Sequence, residues 1–212
     1  MISRGSSASW WGVASPSDAE AFERCLAEGG VAVFAADTVY GLACDPEQAA
    51  AVERMYALKG RPGAQPSALA FFSPEAAFAA LPELGPRTRA LLGRLLPGAV
   101  TVLLPNPRGR FPLAGGGDVL GVRVPVVPAL AAVRRPVLQT SANLAGEPDA
   151  RRLQDVPEAI RHGADLVLDG GELPGTPSTV VDLAGFEARG EWAVRRVGAV
   201  APETIAAAVA EH

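Results

Sequence analysis

Apolar residues along this chain come in short blocks separated by proline, glycine and charged residues. The spacing alternates between two kinds of element. Ser15 offers a helix cap, Pro16 suits the first helical position and Asp18 closes a capping box. A helix is therefore expected to about residue 28, where Gly29-Gly30 stops it. The block 31–35, Val-Ala-Val-Phe-Ala, is apolar without alternation and reads as a buried strand. Asp45-Pro46 repeats the cap-plus-proline signal and predicts a second helix ending near Leu58. Further strands are expected at 68–72, 100–104, 119–124, 137–139, 166–168, 179–183 and 192–197. Helices are expected at 74–80, 86–95, 128–133, 156–162 and 202–210. Several strands follow one another with no helix between them. The fold class is then α/β, a twisted mixed sheet with helices packed on it, not a strict doubly wound sheet. Residues 1–14 read as a loose extension whose Trp10 and Trp11 dock on the body, and 15–212 as one domain.

Composition narrows the chemistry. At 212 residues, 49% hydrophobic and 20% charged, the chain can bury a sizeable core. A formal net charge of −4 gives no bulk attraction to nucleic acid. Cys25 and Cys44 do not make a disulfide framework, which points to a reduced, cytoplasmic protein. With His162 and His212 the only histidines, a structural zinc site is not expected. No apolar run is long enough to span a membrane.

Nineteen residues are basic, and Lys59 alone among them is lysine. A compact ammonium and a planar guanidinium are not interchangeable where a point charge must reach one oxygen. Lys59 opens the loop segment Lys59-Gly60-Arg61-Pro62. Six other polar segments lie at the ends of expected strands: 37–42, 97–101, 121–125, 140–143, 178–182 and 195–198. Strand ends facing a crevice are where open α/β sheets bind ligands. Each segment alone also reads as an ordinary turn or cap. The G-x-x-x-x-G-K-[ST] and G-x-G-x-x-G phosphate loops are both missing. No histidine is placed to activate a serine, so triad chemistry is a poor fit.

Taken in order, Asp37-Thr38-Val39-Tyr40-Gly41-Leu42, Lys59-Gly60-Arg61-Pro62, the Pro97-Gly98…Thr101 segment, Val122-Arg123-Val124-Pro125, Ser141-Ala142-Asn143-Leu144, Ser178-Thr179-Val180-Val181-Asp182 and Arg196-Val197-Gly198 resemble the YrdC-like family of threonylcarbamoyl-adenylate synthases. The resemblance covers residues 16 to 205, in the family's short form. It implies a YrdC-like fold with a large concave site. The implied reaction joins L-threonine, bicarbonate and ATP into threonylcarbamoyl-AMP and pyrophosphate, for threonylcarbamoyladenosine modification of tRNA. Carried over by motif, Thr38, Arg123 and Ser178 hold threonine. Lys59, Arg61, Gln65, Ser141, Asn143 and Arg196 hold ATP, with Lys59 and Arg61 catalytic. ATP is a substrate, and Mg2+ comes with its phosphates. The resemblance further implies tRNA-modification partner proteins and RNA contact that is weak or indirect. Two alternatives stay open: a nucleotide- or RNA-binding module, and a related adenylating or carbamoyl-transfer enzyme with another amine substrate.

The chain departs from the family pattern at Ala35-Ala36, Gln65-Pro66-Ser67, Ala70 and Gln139-Thr140. A histidine that touches threonine in the family is replaced by Ala70. The expectation is a loosened amino-acid pocket there.

Overall fold

The computed structural model describes residues 16–60 and 66–211. The expected extension over 1–14 and the Ser15 cap lie outside them. Seven helices and nine strands are formed among the described residues: α1 Pro16–Ala27, β1 Ala32–Ala35, β2 Tyr40–Cys44, α2 Ala49–Leu58, β3 Ala68–Ala70, α3 Pro74–Ala80, α4 Pro86–Leu95, β4 Val100–Pro105, β5 Val119–Arg123, β6 Val137–Ser141, α5 Glu158–Gly163, β7 Leu166–Leu168, β8 Thr179–Asp182, α6 Phe186–Arg189, β9 Ala193–Arg196 and α7 Pro202–Ala210. The strands make one mixed sheet in the order β7-β1-β2-β6-β3-β5-β4-β8-β9. The pairs β1·β7, β3·β5 and β4·β8 are parallel and the rest antiparallel.

The two faces of this sheet are covered unequally. Successive side chains of a strand point to opposite faces. On one face Leu42, Leu69, Leu138, Val122, Val102 and Val181 join residues of α2 to α7 in the larger core cluster. On the other face the register sets Ala32, Phe34, Ala43, Ala70 and Val137 beneath α1, where they pack with Phe22, Leu26 and Leu130. Phe22, Phe34 and Phe72 meet edge to face there, with ring centroids 5.4–6.3 Å apart. That helix covers only part of its face. Beyond it the same face continues as Ala68, Gly121 and a set of polar residues, and among the described residues no helix covers it.

Three expectations change. Tyr40–Cys44 is a strand, whereas the sequence pattern places its first residues in a polar segment at the end of an expected strand. It is buried on both sides, so it shows no alternation. Helix α2 starts at Ala49, not at Pro46. Asp45 instead accepts from the Glu47 N–H at 2.9 Å and pairs with Arg135 at 2.8 Å, while the Gln48 amide reaches back to the Leu26 carbonyl. The helix expected over 128–133 is a single 3₁₀ turn, Pro128–Leu130. Among the described residues no helix is long and apolar enough to cross a membrane.

Candidate functional site

A cavity of about 530 Å³ opens on the uncovered part of the sheet. Its size falls in the range of pockets that take a small ligand or cofactor. Its floor follows from the register. Gln139 on β6 lies between Ala43 on β2 and Ala68 on β3, and Gly121 on β5 is opposite Leu103 on β4. Small residues on successive strands leave the hollow. Gly41 contributes by close approach: a β-carbon there would come within 2.9 Å of the Gln139 amide nitrogen. Gly198 does the same at the far edge, where a β-carbon would strike the Pro177 carbonyl at 2.2 Å.

Six of the seven polar segments singled out in the sequence supply lining residues. They include Thr38, Thr101, Arg123, Ser141, Ser178 and Arg196. The site is on the face of the sheet more than at strand ends, since Gly121 and Val180 are mid-strand. The connection from β7 to β8 helps to build it. These strands lie toward opposite edges, so residues 169–178 must travel most of the width of the sheet. Tyr40 anchors the start, its hydroxyl donating to Asp169 Oδ1 at 2.6 Å. The Gly175 N–H then donates to the Thr38 carbonyl at 2.9 Å, and the segment delivers Ser178 to the cavity. Burial, with Asp169 adding to it, raises the Tyr40 hydroxyl above the usual tyrosine range.

Three lining residues carry buried polar atoms with no hydrogen-bond partner: Thr38 Oγ1, Arg123 Nε and Gln139 Oε1. Thr38 is 1% exposed, Arg123 and Gln139 5% each. An unpaired buried polar atom costs about 1–3 kcal/mol, so three on residues of one cavity call for a polar partner there, a ligand or water. Arg123 is held in place because its Nη2 pairs with Asp37 Oδ1, and Asp37 Oδ2 accepts from the Val126 N–H at 3.2 Å. Burial lowers the Arg123 guanidinium below its ordinary range, and Asp37 opposes that shift. At the other end Thr101 and Ser178 share a hydroxyl hydrogen bond of 2.8 Å, and Arg196 Nη2 donates to the Ser178 carbonyl at 2.8 Å. The Arg196 side chain is exposed and reaches in from the edge.

Lys59 and Asn143 do not line the cavity. They lie directly behind Ser141. Lys59 is 1% exposed, and its Nζ donates to the Ser141 carbonyl, to the Asn143 carbonyl at 2.9 Å and to Asn143 Oδ1 at 2.8 Å. Asn143 Oδ1 also accepts from Ser141 Oγ at 2.6 Å. The ammonium thus fixes the end of β6 from within the wall. Arg61 and Gln65 fall outside the described residues. Ala70 is not among the lining residues; it is fully buried in the cluster beneath α1 and pairs in register with Arg123, which does line the cavity. Gln139, Thr101 and Asp149 line it without having been assigned a role from sequence. Gln139 stood out only as a departure from the family pattern.

Among the described residues the lining offers hydroxyls, arginines and one carboxylate but no thiol. Burial pushes the Cys44 thiol up to about 12 and the Cys25 thiol up to about 11. Among the described residues no group of three metal-binding side chains comes together, and Asp149 is the one carboxylate in the lining. The site can bind, orient and neutralise charge.

The sequence profile of the Sua5, YciO and YrdC family, described as "Telomere recombination", matches residues 24–198. The threonylcarbamoyl-AMP synthase of Stenotrophomonas maltophilia (strain K279a) is 37% identical over 155 residues, covering 68% of this chain and 82% of that one. The threonylcarbamoyl-AMP synthase of Pyrococcus abyssi (strain GE5 / Orsay) is 32% identical over 167 residues, covering 74% of this chain. Only 48% of that longer protein is spanned, so this chain corresponds to about half of it. The crystal structure of P. abyssi Sua5 complexed with L-threonine superposes with a TM-score of 0.78 at 30% identity, over 90% of this chain and 57% of that one. With the profile running from α1 to the end of β9 and the strand order enclosing the site, the chain belongs to the Sua5/YciO/YrdC family.

Proposed function

We propose that this protein is an L-threonylcarbamoyladenylate synthase, and that the cavity is where it joins L-threonine, bicarbonate and ATP. The neutral α-amine of threonine attacks the carbon of bicarbonate, or of carbon dioxide formed from it, to give a carbamate and water. A carbamate oxygen then displaces pyrophosphate from the α-phosphorus of ATP. Such a reaction needs positioning and charge neutralisation more than a protein nucleophile. Thr38, Arg123 and Ser178 hold the threonine. Ser141 and Arg196 face the phosphates and the adenylate. Lys59 and Asn143 act through the end of β6, which they fix, and the buried ammonium adds positive potential behind it. Arg61 and Gln65 complete the ATP side. Mg2+ would arrive with the triphosphate, and a lining with the single carboxylate Asp149 fits an ion held mainly by phosphates and water.

The observation that carries this reading is the set of unpartnered polar atoms on Thr38, Arg123 and Gln139 in one cavity with Ser141, Ser178 and Arg196. The experiment is pyrophosphate release from ATP by the purified chain, with threonine and bicarbonate omitted in turn. Release only with both supports the reading. Release without threonine shows an ATP reaction that needs no amine and contradicts the reading, and no release with both present leaves another amine substrate or a binding module.

The product then passes to partner proteins that modify tRNA. Net charge is −4, so any RNA contact rests on a few arginines and fades with salt. Binding of tRNA to the chain alone should be weaker than micromolar at about 150 mM salt. Submicromolar affinity there would contradict this.

A further inference from the structure

Gln139 is the feature of the cavity that the proposed roles leave unused. It sits in the middle of the sheet floor, 5% exposed, with Oε1 unpartnered. Its place is made by its neighbours. Ala43 and Ala68 flank it in register, and the space beside its amide exists because Gly41 has no side chain.

Three residues that line this cavity carry unpartnered atoms of different character. Arg123 Nε can only donate. The Thr38 hydroxyl can donate. Gln139 Oε1 can only accept. The first two suit a carboxylate, and Arg123 brings the positive charge. An α-amine that must attack carbon has to stay neutral and face the phosphate side, where Ser141 and Arg196 lie. With the amine and its N–H groups turned that way, the donor left to meet Gln139 is the side-chain hydroxyl.

We propose that Gln139 is a specificity-determining residue, accepting a hydrogen bond from the side-chain hydroxyl of the amino-acid substrate. This rests on the reading of the cavity as a threonine site. A pocket that hydrogen-bonds a substrate hydroxyl rejects the analogue lacking it, because its own buried acceptor is then left unpaired. The site selects a β-hydroxy amino acid over its deoxy counterpart through this one amide.

Titration calorimetry of the full chain with L-threonine and with L-2-aminobutyrate, which lacks only the hydroxyl, tests the assignment. The wild-type chain should bind threonine about 10- to 100-fold more tightly. Gln139→Met, which keeps the length of the side chain, and Gln139→Ala should both bring the two ligands to within about threefold, the size of a single weak contact. ATP affinity should be unchanged in both. A wild-type chain that binds the two ligands equally overturns the proposal without any variant, and so do variants that keep the preference. A wild-type chain that binds neither ligand overturns the threonine reading itself, an outcome distinct from binding both alike.

Discussion

Lys59 shows how much one residue depends on its surroundings. Its position in a loop suggests a charge that reaches into solvent or onto a phosphate. Its Nζ is instead enclosed by the Ser141 carbonyl and both oxygens of Asn143. An arginine fork would not fit that slot as a compact ammonium does, which gives a physical reason for a lysine here in an otherwise arginine-based chain. Lys59→Met keeps the stem but removes the charge and the donors. Turnover at saturating ATP should fall about 10²-fold or more, and Tm should fall with it, since several buried acceptors lose their partner. Lys59→Arg should restore neither. A Lys59→Met enzyme with near-normal kcat would show that the end of β6 needs no such support. Thr38, Arg123, Ser141, Ser178 and Arg196 could be named from motifs because each is in a distinctive short string. Gln139 could not, because its sequence signal was only a departure from the family pattern, and its unpaired oxygen shows only in the structure.

At the scale of elements, caps that come from far away decide what sequence can give. Helix α4 starts at Pro86 after Gly85, which has no side chain to cap it. The cap is supplied by Glu187 of α6, whose Oε2 accepts from the Thr88 N–H and hydroxyl, both at 2.8 Å. Gly85 is required by this, since a β-carbon would lie 2.1 Å from the Glu187 carboxyl carbon. The Thr88 N–H, ahead of the other contacts that favour the charged form, holds the Glu187 carboxyl below its usual range. A carboxylate lowered on folding stabilises fully above its unfolded value, about 4.3, and loses that contribution as pH falls through the lower folded value. Glu187→Ala should therefore cost about 0.5–2 kcal/mol at pH 7, as loss of a cap does. The gap from wild type should close as pH is lowered through about 4 and below. Urea unfolding of both proteins across pH measures it, and a gap that stays constant down to pH 3 would contradict the cap. Helices α1, α3, α4 and α7 were legible because proline and polar residues mark their starts. Strand β2 and helix α6 were not, the first for being buried on both sides and the second for being four residues long.

For the whole molecule, the sheet is the device. Among the described residues a single helix, α1, covers part of one face, and the rest of that face is lined with small and polar residues to form the cavity. The sequence indicated a mixed sheet but not its order. Only β1–β2, β4–β5 and β8–β9 join strands that are consecutive in the chain, so most neighbours meet through long-range crossings that leave no local pattern. The convergence of the polar segments on one face was equally hidden, because it depends on that order. The reaction proposed for this face is the assembly of threonylcarbamoyl-AMP. The most direct measurement is mass spectrometry of the nucleotide products made from ATP, L-threonine and ¹³C-bicarbonate by the purified chain. The expected product is an adenylate that carries both threonine and one ¹³C atom, absent when threonine is left out and strongly reduced by Ser141→Ala with Arg196→Ala. ATP consumed with no ¹³C in any adenylate, or a labelled adenylate that lacks threonine, would contradict it.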